Sequence, residues 1–319
     1  MFNIHRHGNQ RSLNWDDGQP LPDHAGWLDV VDPTTAERAA VEKLISTPLP
    51  TRERISGLGL SSRHHDNRRV LSLHCHLYAD HPHGKAEPLA MLVTQERLVT
   101  LRYQSSRSFD AAARCLQESE EKLDGPDLFV LLLEAVANDV ADRMQGIADD
   151  VSELSDDVFT QTNEPTRVLR QKLLRIGQLE GRLARYRGSL LGIGRIVGFV
   201  QHRAPDWMDD DAQSCVKVIA NDLKTLDQFD EQLTDKLQFL QDAVLGFIST
   251  DQNAVMKLLT VASVVTIPPV VLAGIWGMNF KHMPELDKVW GYPMALSALL
   301  ISVLLPLGWF GIRGWLSRD

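Results

Sequence analysis

The chain has 319 residues, of which 44% are apolar and 24% are charged, and its net charge is −9. These values exclude a disordered chain, a collagen-like chain and a disulfide scaffold. The negative charge argues against a general nucleic-acid binder, because such proteins need a basic face to displace counterions. The three cysteines lie far apart, so the sequence indicates neither a structural zinc site nor a disulfide framework.

The first 125 residues predict a small domain of mixed strand and helix. Residues 1–25 are polar, and we expect them to be poorly ordered. Thereafter, short apolar stretches between turn signals predict strands, and Thr34 with Glu37 three residues on predicts a capped helix. The predicted elements are a strand at 27–31, a helix at 34–46, strands at 70–78, 89–93 and 98–103, and a helix near 109–122.

Two long helices are predicted next, at 127–162 and 166–202, with a turn at Pro165 between them. The first is acidic near its end and the second is basic. An antiparallel hairpin would lay the two stretches side by side, so that their charges pair across it. The simplest interpretation is a pair of solvated helix faces.

A third helix begins near Asp209 and meets no helix breaker before the apolar end of the sequence. Leucines recur along it at spacings of three, four and seven, which predicts a long stalk packed against neighbours. Its 209–251 segment holds ten acidic residues against three lysines. A bundle of such helices would raise the local concentration of cations.

Two uncharged stretches follow, 22 residues from Leu258 to Asn279 and 24 residues from Val289 to Ile312. At 1.5 Å per residue, each is long enough to cross the ~30 Å hydrocarbon core of a bilayer. The loop between them is short, so both flanking ends lie on one side. With no signal peptide ahead of the N-terminal region, we expect that side to be cytoplasmic. Lys257 and Arg313 agree with the positive-inside rule.

Short motifs surround the first span. Gly277-Met278-Asn279 closes it, Met283-Pro284-Glu285-Leu286 and Gly291-Tyr292-Pro293 follow it, and the stretch NAVMKLLT at 253–260 precedes it. In these motifs the sequence resembles the CorA family of divalent-cation channels. The residues of this region match the family's motifs closely. The remainder matches only in the order of its elements, which are an α/β domain, a helical hairpin and a stalk helix.

The resemblance implies a funnel-shaped homopentamer in the cell's inner (plasma) membrane, with both termini cytoplasmic. It implies passive influx of Mg²⁺, often with Co²⁺ or Ni²⁺, and a selectivity filter at Gly277, Met278 and Asn279. A ring of Asn279 side-chain oxygens would bind the waters of hydrated Mg²⁺ without removing them, since this ion dehydrates reluctantly. Mg²⁺ is therefore the expected transported and regulatory ion, and no catalytic cofactor is expected.

Carried over by position, the pore-lining residues occupy one helical face because they are three to five positions apart. Met256 and Leu259 are expected to form a hydrophobic gate that closes by dewetting. Val270 stands where the family has a polar threonine, and Ile267 where it often has methionine, so the path is drier than usual. Pro268-Pro269 frees the carbonyls of residues 264 and 265, which are expected to replace the missing hydroxyl. The predicted stripe is Asn253, Met256, Leu259, Ser263, Ile267, Val270 and Gly274, with Asn279 at its end.

The regulatory site is less clear in the sequence. The family pattern early in the stalk is Arg-Asp-Val-x-Asp, and the aligned stretch here, 217–221, reads KVIAN without either acid. Asp222 and Asp227, one turn away, are the predicted regulatory metal ligands.

Six histidines fall between His64 and His83, and His74 and His76 share one face of a strand at a spacing workable for zinc or nickel. Half-exposed strand histidines are the simpler interpretation. The alternatives left open are a Zn²⁺, Co²⁺ or Ni²⁺ transporter of the same architecture, proton-coupled or passive, and, less favoured, a membrane-anchored metalloenzyme or a structural scaffold. The chain is not predicted to be an enzyme.

The predicted fold is an α+β cytosolic domain followed by a long stalk helix and two transmembrane helices. The expected partners are further copies of the chain, the lipid bilayer and divalent metal ions, with no nucleic acid. The predicted divisions are an α/β domain at 1–125, a helical hairpin at 126–205, a stalk at 206–257, spans at 258–279 and 289–312, a loop at 280–288 and a tail at 313–319.

Overall fold

The computed structural model describes residues 2–5, 13–14, 26–56, 64–66, 69–78, 86–119, 122–160, 165–278 and 288–315. The chain divides into two compact units. The first unit comprises Met1–Thr162 and Lys172–Gln241, and the second comprises Asn163–Gln171 and Asp242–Asp319.

A seven-stranded sheet lies in the first unit. Its strands are β1 (Phe2–His5), β2 (Leu13–Asn14), β3 (Trp27–Val31), β4 (His64–Asp66), β5 (Leu71–Tyr78), β6 (Ala86–Val93) and β7 (Leu98–Arg102). The spatial order is β2-β1-β3-β7-β6-β5-β4. The pair β3–β7 is parallel, with Leu28 opposite Val99, and the other five pairs are antiparallel. The sheet is therefore mixed, and its parallel pair lies near the middle.

Seven helices accompany the sheet in the part of the chain that the structure describes. They are α1 (Thr35–Ile45), α2 (Arg52–Ser56), α3 (Arg107–Glu118), α4 (Gly125–Thr160), α5 (Thr166–His202), α6 (Asp210–Trp276) and α7 (Gly291–Ile312). Helix α6 continues without interruption through residue 257, where the predicted stalk and first span meet.

Both faces of the sheet are buried, because the strands carry apolar side chains on each side. Leu28 packs in a core with Val41 of α1 and Ile55 of α2. The neighbouring Trp27 points to the other face, where its ring centroid lies 6.1 Å from that of Phe109 in α3. This arrangement places α1 and α2 on one face and α3 on the other.

The N-terminus of α1 forms the predicted capping box. The hydroxyl of Thr34 accepts a hydrogen bond from the Glu37 backbone N–H at 3.2 Å, and the Glu37 carboxylate accepts one from the Thr34 N–H at 2.7 Å. Two N–H groups that the helix leaves unpaired are thereby satisfied.

Charges pair across the α4–α5 hairpin, as the sequence predicts. The pairs within the first unit are Lys172–Asp157 at 3.3 Å, Arg175–Glu153 at 2.6 Å and Arg182–Asp150 at 2.5 Å. Lys172 is buried, so its pair is more than a solvated surface contact.

The 210–244 part of α6 buries one stripe, at the predicted helical spacing. Its buried apolar residues are Ala212, Val216, Ile219, Leu223, Leu233, Leu237, Leu240 and Val244. Asp230 falls within this stripe, is 1% exposed, and accepts a hydrogen bond from the Arg187 guanidinium. One of the ten acids of the 209–251 segment is therefore buried against a cation, and it does not add to the negative surface.

One expectation about an irregular region is wrong, and two short elements were not predicted. Residues 2–5 and 13–14 lie in the predicted poorly ordered region, yet they form β1 and β2. Strand β1 pairs with β3, Ile4 is buried, and the His5 ring lies 4.5 Å from the Trp27 ring, so long-range contacts order a polar segment. The short elements α2 and β4 also lie where the sequence predicts none.

Candidate ion pathway

The second unit contains two helices long and apolar enough to cross a membrane, the end of α6 and the whole of α7. In each, only 6% of the most apolar 18-residue stretch is buried. The core helix of a water-soluble protein would bury that surface. Exposure of so much apolar surface favours a lipid environment for both helices.

The two helices lie side by side. Pro269, Val270 and Ala273 of α6 line an apolar groove together with four residues of α7, Leu296, Leu299, Leu300 and Val303. Seven positions between 261 and 276 of α6 are buried or half-buried, and five of them are four, three, four and four residues apart, which places those five on one face. The five are Val261, Val265, Pro268, Leu272 and Trp276, and of the other two, Pro269 lies at the edge of that face and Ser263 lies off it.

The predicted pore stripe occupies the opposite face of α6, at about 100° of rotation per residue. Its large apolar members are exposed in the single chain, with Met256 at 60%, Leu259 at 60%, Ile267 at 58% and Val270 at 62%. Asn253 and Gly274 are also exposed, and a Cβ added at Gly274 would meet no atom within 4 Å. Most of the stripe therefore faces away from that packed face and is free to line a central axis, although Ser263 is half-buried and Val270 borders the groove with α7.

The polar groups on this stripe are few. The Ser263 hydroxyl donates to the Leu259 carbonyl at 2.8 Å, and the Thr260 hydroxyl donates to the Met256 carbonyl at 2.8 Å. Once its proton is donated to the backbone, a hydroxyl oxygen presents only lone pairs, which suit a cation or the hydrogens of its waters. The sequence analysis missed Thr260, although it lies four residues after Met256 and so beside the stripe.

Two consecutive prolines interrupt the hydrogen bonding of α6 without ending the helix. Pro268 and Pro269 have no N–H, so the carbonyls of Val264 and Val265 have no donor four residues on. Val264 is 41% exposed and Val265 is half-buried. Val264 is thus the more exposed of the two residues whose carbonyls lack a helical donor.

Helix α6 closes at the predicted filter. The Gly277 N–H donates to the Ala273 carbonyl at 2.9 Å, and the Met278 N–H donates to that of Ile275 at 3.2 Å. A Cβ at Gly277 would lie 3.1 Å from the Ala273 oxygen, so the turn favours glycine. Asn279 and the motif at 283–286 lie outside the described residues.

The two predicted regulatory acids do not meet within one chain. Asp222 and Asp227 are both exposed on α6, but five positions place them about 140° apart around the helix. Asp222 approaches Glu134 of α4, whose pKa is raised by burial and then by the charge of Asp222. Asp227 instead borders a groove between α5 and α6.

The histidine cluster does not assemble a metal site in the described part of the chain. His74 is buried and its ring nitrogen lies 3.0 Å from the Ser72 hydroxyl. His64 and His65 lie on β4, His76 lies on β5, and His81 and His83 lie outside the described residues. Among the residues that the structure describes, no three His, Cys, Asp or Glu side chains are grouped to hold a metal ion.

A family model described as "CorA-like Mg2+ transporter protein" matches residues 23–313. The chain belongs to this family.

Curated members of the CorA family are similar over nearly the whole chain. The chain is 28% identical over 311 residues to "Magnesium transport protein CorA" of Campylobacter jejuni (strain NCTC 11168), covering 94% of each protein. It is 29% identical over 312 residues to the protein of that name from Escherichia coli K12, covering 95% of this chain and 96% of that one.

The fold is similar to that of a solved CorA family member. The complete structure of the CorA magnesium transporter from Methanocaldococcus jannaschii aligns with a TM-score of 0.77 at 15% identity, covering 98% of each chain. The predicted fold class, an α+β domain followed by a long helix and two apolar C-terminal helices, is confirmed.

Proposed function

We propose that this chain forms a channel for Mg²⁺ in the cell's inner membrane. The observation that carries the proposal is the exposed stripe from Asn253 to Gly274, which lies opposite the packed face of the same helix. An apolar, regularly spaced and largely exposed face of a membrane helix suits the wall of a pore built by several copies. Membership of the CorA family supports Mg²⁺ as the ion.

The proposed assembly is a funnel-shaped homopentamer. Two helices cannot enclose a polar path, so several copies must surround an axis. The first spans, 258–279, would line the pore and the second spans, 289–312, would lie outside them. Both termini, the domain at 1–125, the hairpin at 126–205, the stalk at 206–257 and the tail at 313–319 would be cytoplasmic, with 280–288 outside.

The proposed filter is the ring of Asn279 amides, supported by Gly277 and Met278. Mg²⁺ loses its waters reluctantly. Neutral carbonyl oxygens can accept hydrogen bonds from those waters and hold the hydrated ion weakly enough to release it. A catalytic cofactor plays no part in this proposal, since the ion in the filter is cargo.

The proposed gate lies near the cytoplasmic membrane surface, at Met256 and Leu259. Their exposed apolar side chains would dewet a narrow pore and so block a hydrated ion. Further into the first span, the Ser263 hydroxyl and the free Val264 carbonyl supply oxygens, whereas the side chains of Ile267 and Val270 supply none. The hydrated ion would pass from one of these oxygens to the other.

The proposed driving force is the membrane potential. A divalent cation gains ~4.6 kcal/mol per 100 mV on moving inward, twice the value for one charge. Such a path must be closed when cytosolic Mg²⁺ is high. We propose that Mg²⁺ bound to stalk acids, including Asp222 and Asp227, favours the closed state, with ligands supplied by adjacent subunits because one chain holds the two apart.

The test is ion flux into proteoliposomes that contain the purified full-length chain. Influx of Mg²⁺ is expected when the interior is negative, with Co²⁺ and Ni²⁺ admitted less well, and with no dependence on a pH gradient. Flux that requires a proton gradient, or that admits Zn²⁺ but excludes Mg²⁺, would replace this proposal with the zinc-type alternative. Native mass measurement in mild detergent tests the pentamer, and a monomer or dimer in an active preparation would overturn it.

A further inference from the structure

The start of α5 belongs to the same compact unit as the apolar hairpin. The hydroxyl of Thr166, the first residue of α5, donates a hydrogen bond to the carboxylate of Asp251 in α6. This contact fixes the start of α5 beside the last turns of α6 that precede the apolar stretch.

Several basic residues of α5 pair with acids of neighbouring helices, but within the described ranges two at its start do not. Lys172, Arg175 and Arg182 each pair with an acid of α4. Arg167 and Arg170, next to Thr166, are exposed and make no ion pair with any residue that the structure describes. Two adjacent cations on one helix turn are thus left without a protein counter-charge in the described chain.

The position of Asp251 indicates how far these two arginines lie from the hydrocarbon core of the bilayer. Asp251 precedes Leu258, the first residue of the uncharged stretch, by seven positions, which is about 10 Å along a helix. The headgroup layer on each side of the hydrocarbon core is roughly 5–8 Å thick. Arg167 and Arg170 therefore lie just beneath the headgroups, and long arginine side chains reach into that layer.

Two further cations lie closer to the uncharged stretches. Lys257 is exposed and immediately precedes the uncharged stretch. Arg313 follows α7, and its guanidinium lies 4.5 Å from the ring centroid of Trp309, an arrangement suited to the membrane interface. We call Arg167, Arg170, Lys257 and Arg313 the inner basic surface.

We propose that the inner basic surface binds the headgroups of anionic phospholipids, and that Arg167 and Arg170 attach the tip of the α4–α5 hairpin to the bilayer. The proposal rests on the membrane insertion that the proposed function requires. Anionic headgroups attract basic residues near the surface, and guanidinium groups bind phosphate with two parallel hydrogen bonds. The lipid composition of the inner leaflet would thereby influence where the hairpin sits on the stalk.

The experiment titrates the purified full-length protein with phosphatidylglycerol or phosphatidylcholine and counts bound lipids by native mass spectrometry. The double variant Arg167→Gln, Arg170→Gln is expected to bind phosphatidylglycerol about tenfold more weakly than the unmodified chain. The matched control, Arg114→Gln with Arg195→Gln, removes two exposed arginines elsewhere and should bind it normally. Raised salt should weaken binding to the unmodified chain, because exposed charges are screened.

Equal affinity of the double variant and the control for phosphatidylglycerol would overturn the proposal. So would full displacement of the lipid by inorganic phosphate, which would indicate a site for the free anion. A double variant whose pentamer dissociates while its lipid affinity is unchanged would instead assign the two arginines to a contact between copies.

Mg²⁺ uptake measured on the same preparations separates this proposal from the proposed function. Uptake without charge-selective lipid binding overturns only the lipid surface, and lipid binding without uptake overturns only the channel. A melting temperature of the double variant equal to that of the control shows that both are folded.

Discussion

The carboxylate of Asp29 in β3 accepts hydrogen bonds from the guanidinium of Arg102 in β7 at 2.7, 3.0 and 3.2 Å. Asp29 is 1% exposed and Arg102 is 8% exposed. The Thr100 hydroxyl donates to the same carboxylate at 2.8 Å and accepts from the Trp27 indole at 3.0 Å. This network joins the one parallel strand pair among the described strands and satisfies its buried polar groups.

Replacing Asp29 with alanine should destabilise the protein strongly. Removal of one partner of a buried ion pair leaves the other charge uncompensated and costs ~3–5 kcal/mol. Chemical unfolding of the full-length chain, followed by circular dichroism, measures the effect. The control is Glu87→Ala, since Glu87 pairs with Arg52 at 2.7 Å but at the surface. It should cost less than ~1 kcal/mol, and equal effects at the two sites would contradict the buried-network interpretation.

The same carboxylate predicts how stability depends on pH. Burial alone would raise the pKa of Asp29, but hydrogen bonds from His5, Arg102 and Thr100, together with the Arg102 charge, hold it below its ordinary value. Its contribution is therefore present above the unfolded pKa of ~3.9 and is lost as pH falls towards the folded value. The stability gap between the unmodified chain and Asp29→Asn should narrow below about pH 4. A gap that is constant with pH would contradict this prediction.

Gly125, the first residue of α4, permits close packing that no other residue would allow. A Cβ there would lie 1.9 Å from the Thr94 carbonyl oxygen and 2.9 Å from the backbone of Arg97. Gly125→Ala must therefore shift the start of α4 away from the β6–β7 turn, and it should lower the melting temperature by several degrees or prevent folding.

Gly146 is the matched control, because it lies on the same helix and a Cβ there would meet nothing within 4 Å. Gly146→Ala should stabilise α4 by about 0.5–1 kcal/mol, since alanine has the higher helix propensity. Thermal melts of the two variants should move in opposite directions. A shift in the same direction for both would indicate that backbone freedom, and not the Thr94 contact, decides the effect at residue 125.

Features that follow from local spacing are predictable from this sequence. The capping box at Thr34, the acidic and basic sides of the hairpin and the buried stripe of α6 each depend on residues a few positions apart. Strand β1 was missed because its order comes from β3, more than twenty residues away, and its own four residues are too few to show a periodicity. Asp230 was missed as a buried acid because its partner Arg187 lies on another helix.

The predictions about the ion pathway also divide into those that local spacing supports and those that depend on more distant contacts. The stripe from Asn253 to Gly274 follows from helical periodicity, and the chain presents it on an exposed face. Asp222 and Asp227 are close in sequence, but their five-residue spacing places them on different sides of α6 in one chain, so their role as metal ligands stays a prediction that requires adjacent subunits. Around the helix axis, residues five positions apart are separated by a larger angle than residues three or four positions apart.

The filter prediction concerns Asn279. If its amide ring holds hydrated Mg²⁺, Asn279→Ala should abolish or greatly weaken Mg²⁺ uptake into proteoliposomes and leave the pentamer intact. Asn279→Asp should bind the ion more tightly or change the ion preference, because a ring of charged carboxylates attracts a divalent cation much more strongly than a ring of neutral amides does. The control is Asn138→Ala, an exposed amide on α4. Normal uptake and selectivity in Asn279→Ala would show that the filter lies elsewhere.

The gate prediction compares two neighbouring leucines on α6. Leu259 lies on the pore stripe and is 60% exposed, whereas Leu258 is 72% exposed but one residue, about 100°, round the helix and off the stripe. A hydrophobic constriction stays closed because water leaves it, so a small hydroxyl in place of Leu259 should keep it wet. Leu259→Ser should therefore admit Mg²⁺ even when internal Mg²⁺ is high, and Leu258→Ser should behave as the unmodified chain. Flux assays at low and high internal Mg²⁺ provide the comparison. If both variants leak equally, loss of apolar packing explains the effect and Leu259 is not a gate; if neither leaks, the constriction lies at another level of the stripe.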